Sequence, residues 1–161
     1  MVLSLPDELV QFLESGVSLS VASRNRRLLP SLARVLACRV DRDAGTLCLW
    51  LVRSHAAQLL RDCLDCDRLA LVASDPPTHR AWQIKGDGVR ECPVTPVGVD
   101  LVNRHGTDFA DVISRLGFSP SFTRAFYQHR PEELVAISFI PRELFEQTPG
   151  PRAGSKVEPG G

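Results

Sequence analysis

Strand-like segments joined by short turns dominate this chain of 161 residues and constrain its fold most strongly. Apolar and polar residues alternate from Val17 to Ala22, which is the pattern of a half-buried strand. Two β-rich segments follow, and Arg42–Gly45 between them predicts a hairpin. Parallel strands require long, usually helical crossovers, and most of these connections are too short for that. We predict six strands, at residues 17–22, 31–41, 46–53, 69–74, 80–90 and 134–140.

Helical periodicity accounts for most of the remaining chain. Leu5–Leu13 predicts a first helix, and Ser54 is placed to cap a second. Phe109–Leu116 predicts a third helix that ends at Gly117, and Ser119–Gln128 predicts a fourth. The fold class is therefore mainly β (α+β), a closed or partly open antiparallel barrel of about six strands with flanking helices.

Glycine and proline are concentrated at the end of the chain. Residues 147–161 contain four of the 11 glycines and three of the 12 prolines of the sequence. Such a composition disfavours a packed core. We predict one barrel domain over residues 1–146 and an extended, partly mobile tail over residues 147–161.

Charge and hydropathy exclude two classes of function. Nineteen basic and 19 acidic residues balance, whereas a nucleic-acid binder needs an excess of Lys and Arg. No apolar run approaches the ~20 residues that span a bilayer, and Met1–Ser4 lacks the basic start of a signal peptide. We expect a cytoplasmic protein that binds neither nucleic acid nor membrane, with its five cysteines reduced.

Two cysteine arrangements attract attention. Cys63 and Cys66 form a CxxC, but they fall at the end of a predicted helix and no second pair exists for zinc, so we interpret them as incidental thiols. A hairpin symmetric about Asp43 would place Cys38 opposite Cys48. The same register pairs Leu36 with Trp50 and Arg34 with Val52.

A candidate anion site lies at the predicted start of the second helix. Arg34 and Arg53 are assigned to adjacent strands, and Ser54 and His55 open the helix. Free N–H groups and the dipole favour negative charge at a helix N-terminus. Exposed arginines at a sheet edge are an equally good interpretation of these residues.

A second candidate is the strand that begins near Arg80. Arg80, Gln83 and Lys85 are interspersed with Trp82 and Ile84. These polar side chains either form a solvated strand face or contact a ligand. No phosphate-binding glycine loop or hydrolase triad is recognisable in the sequence.

The order of these elements resembles the pyridoxamine 5′-phosphate oxidase-like flavin-binding split barrels over most of Leu5–Ile140. The resemblance rests on a leading helix at Leu5-Pro6, a strand pair, Ser54 before a helix, Leu69–Ser74, and Gln83–Gly86. It implies a split β-barrel that forms a homodimer and binds FMN in a cleft at the dimer interface.

The resemblance also implies site residues. Arg34, Arg53, Ser54 and His55 would hold the phosphate, while Gln83 and Lys85 would reach the ring or the ribityl chain. The positions where the family usually has Arg or Lys align here with four residues that are neither. A shift of one residue would bring in Arg34 and Arg39 instead. The four aligned residues are Ala33, Cys38, His55 and Ala56.

The resemblance predicts a flavin-dependent oxidoreductase, and three alternatives stay open. The deazaflavin F420 could replace FMN. Haem could bind through His55 or His79. A barrel without cofactor could act as a partner-binding dimer. Fold alone does not choose among them.

Overall fold

A computed structural model describes residues 3–158, so residues 1, 2 and 159–161 of the predicted domain and tail lie outside the described part. Four consecutive strands follow the first helix, and most connections between elements are short. In order, they are α1 (Asp7–Leu13), β1 (Ser18–Arg24), β2 (Pro30–Val35), β3 (Ala37–Asp41), β4 (Thr46–Val52), α2 (Ala57–Cys66), β5 (Leu69–Ser74), β6 (Ala81–Cys92), α3 (Pro96–Ser114), α4 (Pro120–Tyr127), a 3₁₀ turn (Pro131–Glu133), β7 (Leu134–Glu146) and β8 (Lys156–Val157).

The strands form one antiparallel sheet in the order β2-β1-β5-β6-β7-β4-β3, with β8 added to β7. The two ends of this order are β2 and β3, which are separated in the chain by Leu36 alone. The backbone N–H of Leu36 donates to the carbonyl of Trp50 at 2.8 Å. The sheet therefore curls into a partly open barrel, which confirms the predicted α+β split barrel.

The described residues contain eight strands where six were predicted. The segment from Ser31 to Asp41 is divided at Leu36, because its first half pairs with β1 and its second half pairs with β4. The final strand runs through Pro141 to Glu146 instead of ending at the proline. Pro141 lies opposite Gly86, where the ladder shifts register, and a bulge tolerates a residue without N–H.

The described part of the tail, residues 147–158, folds back on the barrel and is not extended away from it. Lys156 and Val157 pair with the end of β7, and the N–H of Gln147 donates to the carbonyl of Ala81 at 2.8 Å. The N–H of Gly154 donates to the carbonyl of Glu146 at 2.7 Å. Backbone hydrogen bonds thus hold this Gly- and Pro-rich segment in place without a core of its own.

The predicted register of the β3–β4 hairpin is wrong by one residue. Cys38 lies opposite Leu49, and Arg39 lies opposite Cys48. The loop has four residues, Arg42–Gly45, so its centre falls after Asp43 and not on it. Cys38–Cys48, Leu36–Trp50 and Arg34–Val52 are therefore not directly opposed pairs of the ladder, although the backbone of Leu36 bonds that of Trp50. All five cysteines are free thiols, and burial raises the pKa of the Cys38 thiol well above its usual range.

Two apolar clusters hold the molecule together. The first fills the barrel and includes residues of α1 and α2. The second lies outside the barrel, where α3 covers β3, β4 and β7. Phe109 and Ile113 are buried on α3, as the apolar spacing predicted, but the helix begins at Pro96 and Leu116 lies beyond its end, exposed to solvent. None of the helices within residues 3–158 combines the length and the apolar character needed to cross a bilayer.

Candidate functional site

Within residues 3–158, the helices leave most of one outer face of the barrel uncovered. Side chains of directly paired residues project to the same side of a sheet, so two neighbouring rows can be followed across β2, β1, β5, β6 and β7. The first row is Arg34, Ser20, Val72, Gln83 and Phe145. The second row is Leu32, Ala22, Ala70, Lys85 and Glu143. We call this surface the bare face.

A cleft of about 380 Å³ opens at the second row. Its floor contains Ala22 and Ala70, whose small side chains leave the sheet backbone close to the surface. Four cationic side chains surround the floor. They are Arg24, Arg68, Lys85 and Arg142.

The charges of the cleft do not cancel. Its two carboxylates are already engaged: Asp87 Oδ1 lies 2.7 Å from Arg142 Nε, and Glu143 Oε1 lies 3.1 Å from Lys156 Nζ. Within residues 3–158, no carboxylate lies in ion-pair distance of the other three cations, Arg24, Arg68 and Lys85. The cleft therefore presents net positive charge to an anionic ligand.

Gln83 and Lys85 lie on the bare face, in neighbouring rows of β6. Lys85 lines the cleft, and its Nζ lies 4.5 Å from the centroid of the Phe145 ring, a cation–π distance. Gln83 is half-buried, and its Oε1 accepts a hydrogen bond from Gln147 Nε2 at 3.4 Å. Of the six residues singled out from the sequence, Gln83 and Lys85 are thus neighbours on the bare face, and Arg34 lies at the far end of its first row.

Arg53, Ser54 and His55 are exposed in the turn that precedes α2. The N-cap of α2 is Ala56 and has no side-chain cap, so the prediction that Ser54 caps this helix is wrong. The chain makes one further turn first, in which the N–H of Ala56 donates to the carbonyl of Val52. Arg53 forms an ion pair with Glu91 near the end of β6. Glu91 is six residues beyond Lys85, or roughly 20 Å along a strand.

Arg34 lies under α4 and not beside Arg53. Its strand pairs with β1, while β4 pairs with β3 and β7, so the prediction that these arginines occupy adjacent strands is wrong. Arg34 Nη1 donates to Ser18 Oγ at 3.2 Å, and its Cζ lies 4.6 Å from the centroid of the Phe126 ring. The guanidinium is therefore held between the sheet and an aromatic side chain.

The residues of the two alternative alignments differ in burial. Ala33, Cys38 and Ala56 are buried in the interior cluster, where a cation would face apolar side chains. Arg34 and Arg39 project outward instead. The alignment shifted by one residue is therefore the one that places cations on the outer surface.

Three cations of the cleft were not singled out by sequence reasoning. Arg24 ends β1, Arg68 lies between α2 and β5, and Arg142 lies in the part of β7 beyond Pro141. They are distant in sequence, and only the pairing of β1, β5, β6 and β7 brings them together. Period-2 alternation would have assigned Arg24 to the outer face, but no local signal connects it to the other two.

The histidines are placed as follows. His55 and His79, the two candidate haem ligands, are exposed, and His79 lies in a turn with φ 61°. His105 is buried on α3, and its Nε2 lies 2.9 Å from the carbonyl of Val17, to which it donates. Burial lowers the pKa of His105, so it is neutral near pH 7.

Comparison with known proteins identifies the fold. No family model matches the sequence, and no curated protein matches it. Solved structures do match. HupZ of Group A Streptococcus has a TM-score of 0.56 at 10% identity, over 94% of this chain and 100% of that chain. A protein named as a pyridoxamine 5′-phosphate oxidase, from Lactobacillus delbrueckii, has a TM-score of 0.53 at 13% identity, over 90% and 99%. An F420 reductase has a TM-score of 0.50 at 15% identity, over 87% and 98%.

Proposed function

This chain has the split-barrel fold of those proteins, and we propose that it is a homodimeric flavin-binding protein of the pyridoxamine phosphate oxidase-like type, with FMN as its cofactor. One observation carries the proposal. The bare face holds a cleft with an alanine floor and three cations, Arg24, Arg68 and Lys85, that pair with no carboxylate of residues 3–158. A flat ring system with a phosphate group matches that combination of floor and charge.

The cleft passes a simple test of fit for such a cofactor. Its volume of about 380 Å³ lies within the range of roughly 300–1,000 Å³ that is typical of small-molecule sites. The alanine floor lets a planar ring approach the sheet closely. Arginine suits the phosphate, because its planar fork grips two oxygens at once. Arg24 and Arg68 would hold the phosphate in this arrangement.

Flavin, when bound, would supply the redox chemistry of an oxidoreductase, and the protein would supply position and charge. Lys85 would place a positive charge beside the ring, where it stabilises added electron density. The Gln83 amide, in the neighbouring row of the bare face, would donate a hydrogen bond to the ring edge or ribityl chain. The floor and the cleft walls would exclude water from one side of the ring.

F420 is the second candidate cofactor, because a matching structure is an F420 reductase and the same cations suit its phosphate. Haem is less well supported, since both candidate ligands, His55 and His79, are exposed outside the cleft. A barrel without cofactor would leave the cleft cations without a role. We also propose a cytoplasmic location, as the sequence predicts.

The absorbance spectrum of the purified protein is the first test. Bound flavin absorbs in the blue, and haem gives an intense Soret band. A colourless protein that takes up neither FMN nor F420 would contradict the proposal. Titration of the protein into FMN, followed by flavin fluorescence, then gives the dissociation constant.

Variants decide which arginine holds the phosphate. Removing one charge-assisted phosphate contact costs about 1.5–3 kcal/mol, or roughly ten- to a hundredfold in affinity. We expect Arg68→Ala to lose that much FMN affinity and much less riboflavin affinity, because riboflavin has no phosphate. Arg115→Ala, an exposed arginine outside the cleft, is the matched control. A larger loss in Arg53→Ala than in Arg68→Ala would place the phosphate at the turn before α2.

A further inference from the structure

Both lysines of the chain lie near one carboxylate at the edge of the cleft. The sequence contains two lysines, Lys85 on β6 and Lys156 on β8. Glu143 on β7 lies directly opposite Lys85 in the β6–β7 ladder, and both residues line the cleft. Opposite charges that face each other across two strands usually interact, because their Cβ atoms are only about 5 Å apart. The sheet therefore places Lys85 where an ion pair with Glu143 would be expected.

The two members of this facing pair have other partners instead. Glu143 Oε1 lies 3.1 Å from Lys156 Nζ, whereas Lys85 Nζ lies 4.5 Å from the centroid of the Phe145 ring. Within residues 3–158, Lys85 pairs with no carboxylate. The lysine of the tail thus neutralises the carboxylate that faces Lys85, and the charge of Lys85 stays available to the cleft.

The position of Lys156 follows from the return of the tail to β7. Lys156 lies opposite Phe145 in the β7–β8 ladder, so its side chain projects to the side of the bare face. Glu143, two residues before Phe145 on the same strand, projects to that side as well. Backbone hydrogen bonds at Gln147 and Gly154 hold the tail in place without the Lys156 ammonium. Removing that ammonium should therefore leave the path of the tail unchanged.

We propose that Lys156 is a positioning residue, which holds Glu143 away from Lys85 and thereby keeps the cleft positive for an anionic ligand. The inference rests on the proposed flavin site and names a residue outside the cleft lining that controls its affinity. Both side chains of the Lys156–Glu143 pair are partly exposed, so the pair contributes little to the stability of the fold. Its effect is on the ligand. Without Lys156, the net charge of the cleft falls by one, because Glu143 is no longer neutralised and turns to Lys85.

The first test needs no cofactor. Acetylation of Lys85 by acetic anhydride, followed by mass spectrometry, reports on its partner, because an ion-paired ammonium gives up its proton less readily and reacts more slowly. We expect Lys156→Ala to slow the acetylation of Lys85 about three- to tenfold. Adding Glu143→Gln to Lys156→Ala should restore the original rate, which it would not do if the tail had simply loosened. An unchanged rate in Lys156→Ala, or a slow rate in the double variant, would overturn the inference.

The second test measures affinity by titration with FMN and flavin fluorescence. At low salt, Lys156→Ala should bind FMN about three- to tenfold more weakly, with a smaller loss for riboflavin, which lacks the phosphate charge. The double variant Lys156→Ala with Glu143→Gln should recover the FMN affinity, and Lys156→Arg should keep it. Arg152→Ala is the matched control, because Arg152 is a cation of the same tail that pairs with Glu146, and neither lines the cleft.

The two tests separate this inference from the proposed function. If the unmodified protein binds no FMN, the proposed function fails, while the acetylation rates still decide the role of Lys156. If Lys156→Ala and the unmodified protein bind FMN equally well, the inference fails and the proposed function stands. An equal loss in Arg152→Ala would show that the tail acts through its folding, which would also overturn the inference.

Discussion

The two outer halves of the barrel differ in how they are covered. Over β3, β4 and β7, helix α3 packs on an apolar cluster that includes Trp50, Val52 and Val102. Over β2, β1, β5 and β6, the outward rows consist mainly of small or polar residues such as Ser20 and Ala22, and no helix covers most of them. Both halves share the same interior core.

The two halves should therefore contribute differently, the covered half to the stability of the fold and the bare half to binding. A covered surface gains free energy from apolar area that is permanently removed from water. A bare surface leaves that gain to a ligand or a partner, at the cost of stability in the isolated chain. The covered half should therefore respond to mutation through unfolding, and the bare half through binding and assembly.

The largest expected effect is the loss of Trp50 from the covered half. Trp50 is buried, and the indole contacts α3 so closely that a Cβ on Gly98 would lie 2.6 Å from Nε1. Trp50→Ala should lower the free energy of unfolding by about 3–5 kcal/mol, as measured by urea titration. Ser20→Ala on the bare face is the matched control and should change it by less than ~0.5 kcal/mol. Equal losses at the two positions would break the comparison.

A smaller effect is expected where α3 meets the start of β1. Gly16 lies against the α3 backbone, and a Cβ there would lie 2.6 Å from the carbonyl carbon of Asp108. The contacting atoms belong to the backbone and cannot relax by a change of rotamer. Gly16→Ala should therefore lower the free energy of unfolding by about 1–3 kcal/mol. FMN affinity, measured where the protein remains folded, should change little. A large loss of affinity without a loss of stability would connect this junction to the site.

The smallest effect at neutral pH concerns His105 at the same junction. Burial lowers the pKa of His105 below its usual 6.5, so the unfolded chain binds a proton that the folded chain excludes. This term is fully present above about pH 6.5 and is lost as the pH falls below it. Unfolding free energies between pH 7.5 and pH 5 should therefore fall less steeply in His105→Gln than in the unmodified protein. Asn103→Ala, at an exposed and non-titratable site of α3, should keep the original pH dependence. An unchanged slope in His105→Gln would show that another group controls the acid response.

Local pattern predicted the elements well. Alternation in Val17–Ala22 and the spacing of apolar residues in Phe109–Leu116 identified a strand and a helix that the structure contains. Gly86 and Gly88 lie where the β6–β7 ladder shifts register, which is a common place for glycine within a strand. These features depend on residues that are close in sequence and on the backbone preferences of individual residue types, so they can be predicted from the sequence.

The cofactor residues singled out from the sequence stay predictions, but their placement shows how far pattern reaches. Gln83 and Lys85 lie together on the bare face because alternation along one strand fixes their side. Arg34 and Arg53 were assigned to adjacent strands because the division of the chain at Leu36 leaves no local trace.

The sequence alone determined which residues alternate, where α1 and α4 lie, and which side of a strand is apolar, because each depends on a few consecutive residues. Only the tertiary structure decided the one-residue register of the hairpin, the return of the tail to β7, and the meeting of Arg24, Arg68 and Arg142 around one cleft. Those outcomes depend on which strands become neighbours. Strand pairing depends on packing across the whole barrel, and the sequence of one strand does not identify the strand with which it pairs.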